Sequence, residues 1–237
     1  MKKILITGST QGIGKALAAA FVKNGDEVIV HCSKDIAKAE NVRKEIGAAK
    51  AVVCDLSKME EVDELYNETG AVDCLILNAS VQYKNDWTKV SFEEFSKQVA
   101  VNFTSTYMLM QKYIPEMVKN GFGRVVTIGS VNQYRNHPEL TVYSATKCAV
   151  ESLVRNVAKQ VAPYGVTVNN VAPGAILTPR NESVYYDEEK RKAVESVIPI
   201  GRFGKVEEVV GAVMLLCGEQ GSYITGADVK IDGGMSL

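Results

Sequence analysis

Short runs rich in Val, Ile and Leu recur seven times along this chain. They lie at Ile4 to Ile6, Glu27 to Val30, Ala51 to Val53, Val72 to Leu77, Arg124 to Ile128, Val166 to Val171 and Asp228 to Ile231. Between them stand longer segments of helical period, among them Ile13-Leu17-Ala20-Phe21, Glu61 to Tyr66, Phe92 to Met117 and Tyr143 to Val161. Connections of that length carry a chain back to begin a parallel neighbour through right-handed crossovers. The alternation therefore predicts an α/β fold, a doubly wound parallel sheet of about seven strands.

A length of 237 residues permits one domain or two. No Pro/Ser/Gly linker, charge run or fixed-period repeat divides the chain, so residues 1–237 read as a single domain. Three irregular stretches, Ser80 to Lys89, Val131 to Leu140 and Ala175 to Pro199, each follow a strand. They fall on the edge of the sheet where such folds bind ligands. With 27 Lys+Arg against 28 Asp+Glu, the net charge of −1 supplies no long-range field to gather nucleic acid or anionic lipid. Cys32, Cys54, Cys74, Cys148 and Cys217 form no C-x-x-C pair and are an odd number, which suits a reducing cytoplasm and a role as small core residues. The opening Met1 to Thr7 is too short in apolar residues for a signal segment or a membrane span. His31 and His137 lack metal-ligand spacing, so no metal is expected.

The first strand runs into Thr7-Gly8-Ser9-Thr10-Gln11-Gly12-Ile13-Gly14 and then a helix. That arrangement aims backbone N–H groups and a helix N-terminus at an anion, and the pyrophosphate of a dinucleotide fits it. Gly8, Gln11, Gly12, Ile13 and Gly14 are the candidate contacts, although G-x-x-x-G-x-G is a variant of the general Rossmann spacing. Strand two ends His31-Cys32-Ser33-Lys34, with no carboxylate before Asp35. Ser33 and Lys34 offer a hydroxyl and a cation to a ribose phosphate, which favours NADP(H) while leaving NAD(H) possible. Taken alone, Lys34 reads equally well as a solvated residue opening the next helix.

Tyr143 and Lys147 stand four residues apart, on one face of a helix. A neighbouring ammonium favours a phenolate and so suits a tyrosine to acid/base work. Tyr186 and Lys190 share the spacing, and context separates the two pairs. Thirteen residues before Tyr143, Ser130 ends a strand at the ligand edge, where a hydroxyl can bind a substrate oxygen. Thirteen residues before Tyr186 stands Pro173.

Over essentially its whole length the chain resembles the short-chain dehydrogenase/reductase family. The ordered motifs are T-G-x-x-x-G-I-G at Thr7 to Gly14, Asp55-Leu56, Asn78-Ala79, Asn102, Ser130, Tyr143-x-x-x-Lys147, Pro173-Gly174 and Asp232-Gly233-Gly234. The resemblance implies an NAD(P)(H)-dependent oxidoreductase that interconverts a carbonyl and a secondary alcohol by hydride transfer. It implies that Asp55 and Leu56 flank the adenine, that Asn78 and Ala79 support the strand end beside the cofactor ribose, and that Pro173, Gly174 and Ile176 edge the nicotinamide. Thr178 would approach the carboxamide. Tyr143 would be the acid in reduction and the base in oxidation, and Ser130 would polarise the substrate oxygen. Lys147 would lower the Tyr143 pKa and bind the nicotinamide ribose, and Asn102 would hold a relay water beside it. The family often reads N-N-A-G where this chain has Leu77-Asn78-Ala79-Ser80, so Ser80 adds a side chain at the cofactor edge.

Polar residues in Val131 to His137 and in Gln82 to Asn85 suit an oxygen-rich small molecule, sugar- or polyol-like, or a small ketone. The competing reading is a 3-oxoacyl-[acyl-carrier-protein] reductase. Its usual docking arginines are replaced here by Gly121 and Tyr164, with Lys112, Lys119 and Lys159 as partial substitutes. A reading of another class, an NADP-sensing regulator without catalysis, would be expected to break the set Asn102, Ser130, Tyr143 and Lys147, and all four are present. The resemblance also implies a homotetramer paired through Phe92 to Met117 and Tyr143 to Val161, with Asp232 to Leu237 at another interface.

Overall fold

All seven runs are strands: β1 (Lys3–Ile6), β2 (Glu27–Cys32), β3 (Lys50–Val53), β4 (Cys74–Leu77), β5 (Gly123–Ile128), β6 (Val166–Pro173) and β7 (Asp228–Ile231). In the computed structural model, which describes residues 1–237, they form one parallel sheet in the order β3-β2-β1-β4-β5-β6-β7. The order reverses between β1 and β4. Their carboxyl ends diverge there into a crevice, where a doubly wound sheet binds its ligand.

The strands' period of two sends alternate side chains to opposite faces. Leu5, Ile29, Leu75, Val125 and Val168 form one buried layer with α3 (Met59–Thr69), α5 (Ser105–Asn120) and α6 (Thr141–Val161), through residues such as Val62, Leu65, Leu109, Tyr113, Val150 and Val154. Ile4, Ile6, Val28, Val30, Ile76 and Val126 form the other layer, with Leu17 and Phe21 of α1 (Gly12–Lys23) and Val209 and Val213 of α9 (Val206–Cys217). Each such side chain contributes about 1.5–3 kcal/mol through burial. α2 (Ile36–Ile46) begins where the Asp35 carboxylate accepts the Lys38 N–H at 2.9 Å, and ends at Gly47 with φ +74°. Its N-terminus faces the adjoining turn, and its cap consumes the carboxylate nearest the end of β2.

Three expectations need correction. Phe92 to Met117 is not one helix: α4 (Phe92–Val99) passes through a π turn at Ala100–Thr104 into α5. The wider turn turns Asn102 inward, where it is buried and hydrogen-bonded. The stretch Ala175 to Pro199 is not irregular throughout. It holds α7 (Glu182–Tyr185) and α8 (Glu188–Glu195), the latter capped by the Asp187 carboxylate on the Lys190 N–H. Cys148 is exposed on α6, unlike the other four cysteines, which are buried. No helix is long and apolar enough to cross a membrane.

Candidate active site

The turn after β1 is held from two sides. Thr7 Oγ1 accepts the N–H groups of Asn78 and Ala79, both at 3.0 Å, and Asn78 Nδ2 donates to the carbonyls of Thr7 (2.9 Å) and Gly8 (3.0 Å). From β2, His31 Nδ1 accepts the Gly8 N–H at 3.0 Å while Nε2 donates to the Cys54 carbonyl at 3.0 Å. Burial lowers the His31 pKa to about 4, so the ring is neutral and can accept as well as donate. Gly8 and Gly12 have φ of +64° and +54°, and a Cβ on Gly14 would lie 2.4 Å from the Gly8 carbonyl oxygen. These glycines serve conformation and close approach.

α1 starts at Gly12 with no side chain capping it from Gln11 and no acidic residue in its first turn. Its positive end therefore stays available to an anion, and the group fits a dinucleotide phosphate. At the ends of β2 and β3, Ser33, Lys34, Asp55 and Leu56 line the same cleft. Lys34 Nζ lies 3.3 Å from Asp55 Oδ2. Burial pushes the Asp55 pKa up, but hydrogen bonds from Ser57 and the Lys34 ammonium outweigh it and hold the carboxyl below its usual value. A second cation, Lys38, donates to Gln11 Oε1 at 2.8 Å and also lines the cleft. Sequence reading missed Lys38. The available signal was its position three residues after the Asp35 cap, which puts it in the first turn of α2 beside the glycine turn.

On the other side of the switch point, Ser130 follows β5 and α6 carries Tyr143 and Lys147, all three buried. Ser130 Oγ accepts the Asn132 N–H at 3.2 Å, and the Ser130 N–H donates to Gln133 Oε1 at 3.1 Å. Lys147 Nζ donates to the Ile128 carbonyl at 2.7 Å and lies 5.6 Å from the centre of the Tyr143 ring. Burial, assisted by the charge of Arg180, brings the Lys147 pKa down to about 7. Asn102 accepts the Val81 N–H, returns a bond to the Val81 carbonyl (both 2.9 Å), and donates to Thr146 Oγ1 at 3.2 Å. It braces the loop after β4 against α6 and lies behind the cleft wall.

The loop after β6 completes the site. Gly174 packs so tightly that a Cβ would meet Asp232 Cα at 2.7 Å, and a Cβ on Gly12 would meet Thr178 at 3.6 Å, so this loop crosses over the glycine turn. Pro173, Gly174, Ile176 and Thr178 line one cleft of about 550 Å³ with Ser80 and every other sequence-expected site residue except Asn102. The other Tyr/Lys pair stays outside: Tyr186 is exposed and Lys190 pairs with Asp187 at 2.8 Å. Gln133, Asn170, Asp228 and Arg180 were not among the sequence-expected site residues. Gln133 Nε2 donates to Asp228 Oδ2 at 3.0 Å, and Asn170 Nδ2 donates to Asp228 Oδ1 at 2.8 Å, linking the Ser130 turn to β7. Arg180 Nη2 donates across the cleft to the Ser80 carbonyl (2.9 Å) and hydroxyl (3.1 Å). No group of three His, Cys, Asp or Glu side chains is placed to hold a metal ion.

An anion-binding glycine turn at the switch point, opposite a buried Ser/Tyr/Lys set, defines a nicotinamide-dinucleotide oxidoreductase. A family model described as Enoyl-(Acyl carrier protein) reductase matches residues 8–236. The chain is 37% identical to glucose 1-dehydrogenase of Gluconobacter oxydans over 245 residues, covering 100% of this chain and 92% of that one. It superposes with a TM-score of 0.94 and 34% identity on a 3-oxoacyl (acyl-carrier-protein) reductase from Agrobacterium tumefaciens C58 solved with NADP bound, covering 98% of this chain and 93% of the other. For a gluconate 5-dehydrogenase from Burkholderia cenocepacia, in complex with NADP and tartrate, the TM-score is 0.91 at 28% identity, covering 99% and 95%. The chain belongs to the short-chain dehydrogenase/reductase family. It is an NAD(P)-dependent enzyme acting on CH–OH groups.

Proposed function

We propose that the protein interconverts a secondary hydroxyl and a carbonyl on a small, polar, sugar- or polyol-like molecule, with NADP(H) preferred. The observation that carries this reading is the convergence of Ser130, Tyr143 and Lys147 on the cleft that begins at the glycine turn. When bound there, the nicotinamide supplies or accepts the hydride. Tyr143 passes its hydroxyl proton to the carbonyl oxygen in reduction and takes it back in oxidation. Ser130 donates a hydrogen bond to the same oxygen, and its turn is fixed by Gln133. Lys147, held by the Ile128 carbonyl, binds the nicotinamide ribose beside the Tyr143 ring. Both amide hydrogens and the oxygen of the Asn102 side chain are engaged, so the relay water falls to its main-chain carbonyl, which also accepts the Thr106 hydroxyl at 3.1 Å.

The cofactor preference rests on Ser33, Lys34 and Lys38 at the end of β2, where Asp35 is engaged as a helix cap and Asp55 is paired with Lys34. Gly8, Gln11, Gly12, Ile13 and Gly14 take the pyrophosphate. Asp55 and Leu56 take the adenine, Asn78, Ala79 and Ser80 the ribose edge, and Pro173, Gly174, Ile176 and Thr178 the nicotinamide. Residues 1–237 act as a single cofactor-binding and catalytic domain, in the cytoplasm, as a homotetramer. Against the carrier-protein reading stand two of its three substitute lysines. Lys112 pairs with Asp63 at 2.8 Å and Lys119 with Glu116 at 3.2 Å, which lowers their attraction for an acidic carrier.

The test is steady-state turnover of sugars, polyols, simple ketones and a 3-oxoacyl thioester with each cofactor, in the wild type and in Tyr143→Phe. Turnover of polar alcohols or ketones with NADP(H) is expected, falling by about a hundredfold or more in Tyr143→Phe while NADPH still binds. Reduction of the thioester alone would replace the substrate reading, and an active Tyr143→Phe would overturn the mechanism.

A further inference from the structure

The cleft carries a charge imbalance that the whole chain does not. Overall the molecule has a net charge of −1, yet the cleft is lined by six Lys and Arg side chains and a single carboxylate, Asp55. The imbalance divides at the switch point. Lys34, Lys38 and Asp55 belong to the β2 and β3 side, where the adenosine of a dinucleotide lies. On the catalytic side stand Lys84 from the loop after β4, Lys97 from α4, His137 from the loop before α6 and Arg180 from the loop after β6, besides Lys147. No carboxylate lines that side, and Lys84, Lys97 and Arg180 make no ion pair within the chain.

These groups are close enough to act on one another. Burial lowers the His137 pKa and the Lys84 charge adds to the effect, as Arg180 adds to it at Lys147. The like charges of Lys84, Lys97 and Arg180, converging from three separate elements, cost stability unless a ligand offsets them, and low-dielectric walls focus their field on whatever enters. Arg180 is also fixed in place. One terminal nitrogen is tied to both oxygens of Ser80, the residue that stands where the family often has glycine. The tether uses Nη2 and leaves the Nη1 and Nε donors of the guanidinium without a partner within the chain, each able to give a charge-assisted hydrogen bond to a carboxylate oxygen.

Building on the reading above, we propose that the substrate is an acid. It is a hydroxy- or oxo-carboxylate whose carboxylate is received by Arg180, with Lys84, Lys97 and His137 around it, while its secondary hydroxyl or ketone reaches Ser130 and Tyr143. The redox step is that of the neutral substrate, so Arg180 determines specificity and takes no proton or hydride.

The experiment compares polyhydroxy acids and their oxo forms with the matched alditols, ketoses and methyl esters, and includes an aldose 6-phosphate. It follows kcat/KM against ionic strength and the KM for NADPH in parallel. For the wild type the acid is expected to lead its neutral partner by roughly ten- to a hundredfold. That lead should shrink as salt rises, while neutral partners stay flat. Arg180→Gln should collapse the acid-to-neutral ratio and Arg180→Lys should restore part of it. Neutral partners equal to the acids, a phosphate that outruns every carboxylate, or an Arg180→Gln effect confined to the KM for NADPH would overturn the inference and leave the oxidoreductase reading intact. No turnover of any member with either cofactor would overturn both.

Discussion

Lys147 and His31 are both neutralised by burial, with opposite consequences for solution behaviour. A Lys147 pKa near 7 leaves the free protein with a largely uncharged amine at pH 8. A dinucleotide carries net negative charge, which favours the ammonium. Cofactor binding at pH 8 is therefore expected to take up close to one proton, measured by calorimetry in buffers of different ionisation enthalpy, and Lys147→Met should abolish the uptake. His31 has a folded pKa of about 4 against 6.5 for the free side chain. Its contribution to stability is complete above pH 6.5 and is lost as pH falls toward 4, because the unfolded chain binds the proton first. The difference amounts to about 3 kcal/mol. Urea midpoints measured from pH 7.5 to 4 should fall more steeply for wild type than for His31→Gln, which has no proton to gain. Neither behaviour could be read from sequence, since each depends on three-dimensional burial.

At the scale of elements, strand identity was legible because alternation and Val/Ile/Leu content are local properties. All seven expected strands exist, and β6 runs two residues beyond the expected end to Pro173. The π turn inside Phe92 to Met117 was not legible, because helical period looks the same on both sides of it. What favours the turn is a long-range bond from Asn102 to Val81. The same limit hid Gln133, which looked like one of several polar loop residues. Its partners, Asp228 on β7 and Asn170 on β6, are 95 and 37 residues away. Gln133 fixes the Ser130 turn by accepting its N–H, so Gln133→Ala should lower kcat about tenfold with little change in the KM for NADPH. Gln133→Glu keeps the acceptor for the Ser130 N–H but meets the Asp228 carboxylate. Burial raises the Asp228 pKa to about 6, despite the opposing Lys230 charge and the Gln133 hydrogen bond. In the variant the lost donor and the added carboxylate both raise the Asp228 pKa further, so activity should recover as pH falls and Asp228 is protonated, and be lost at high pH. A pH profile of kcat for the two variants checks this, since loosened packing alone would not restore turnover selectively in acid.

For the whole molecule, the proposed homotetramer would draw on the near-balance of charge and on the distribution of apolar surface. Trp87, Phe92, Phe95 and Tyr107 are large apolar side chains between 45% and 83% exposed, and all come from the segment that leads through α4 into α5. Aromatic residues concentrated on one exposed segment mark a surface that another protein covers. With a net charge of only −1, two copies of this chain meet little mutual repulsion. A two-fold pairing of this segment would bring each α4–α5 unit against its own copy. The C-terminal segment, where Asp232 accepts the N–H groups of Gly234 (3.0 Å) and Ser236 (2.9 Å), offers a second ordered face. Pairing at both faces would give the proposed homotetramer dihedral symmetry. Light scattering is expected to give about 100 kDa for four chains of 25.8 kDa. Phe92→Glu sets a buried, unpaired carboxylate on both sides of the helix pairing and should halve that mass. A wild-type mass near 26 kDa at micromolar concentration would refute the assembly, and an unchanged tetramer in Phe92→Glu would move the interface elsewhere.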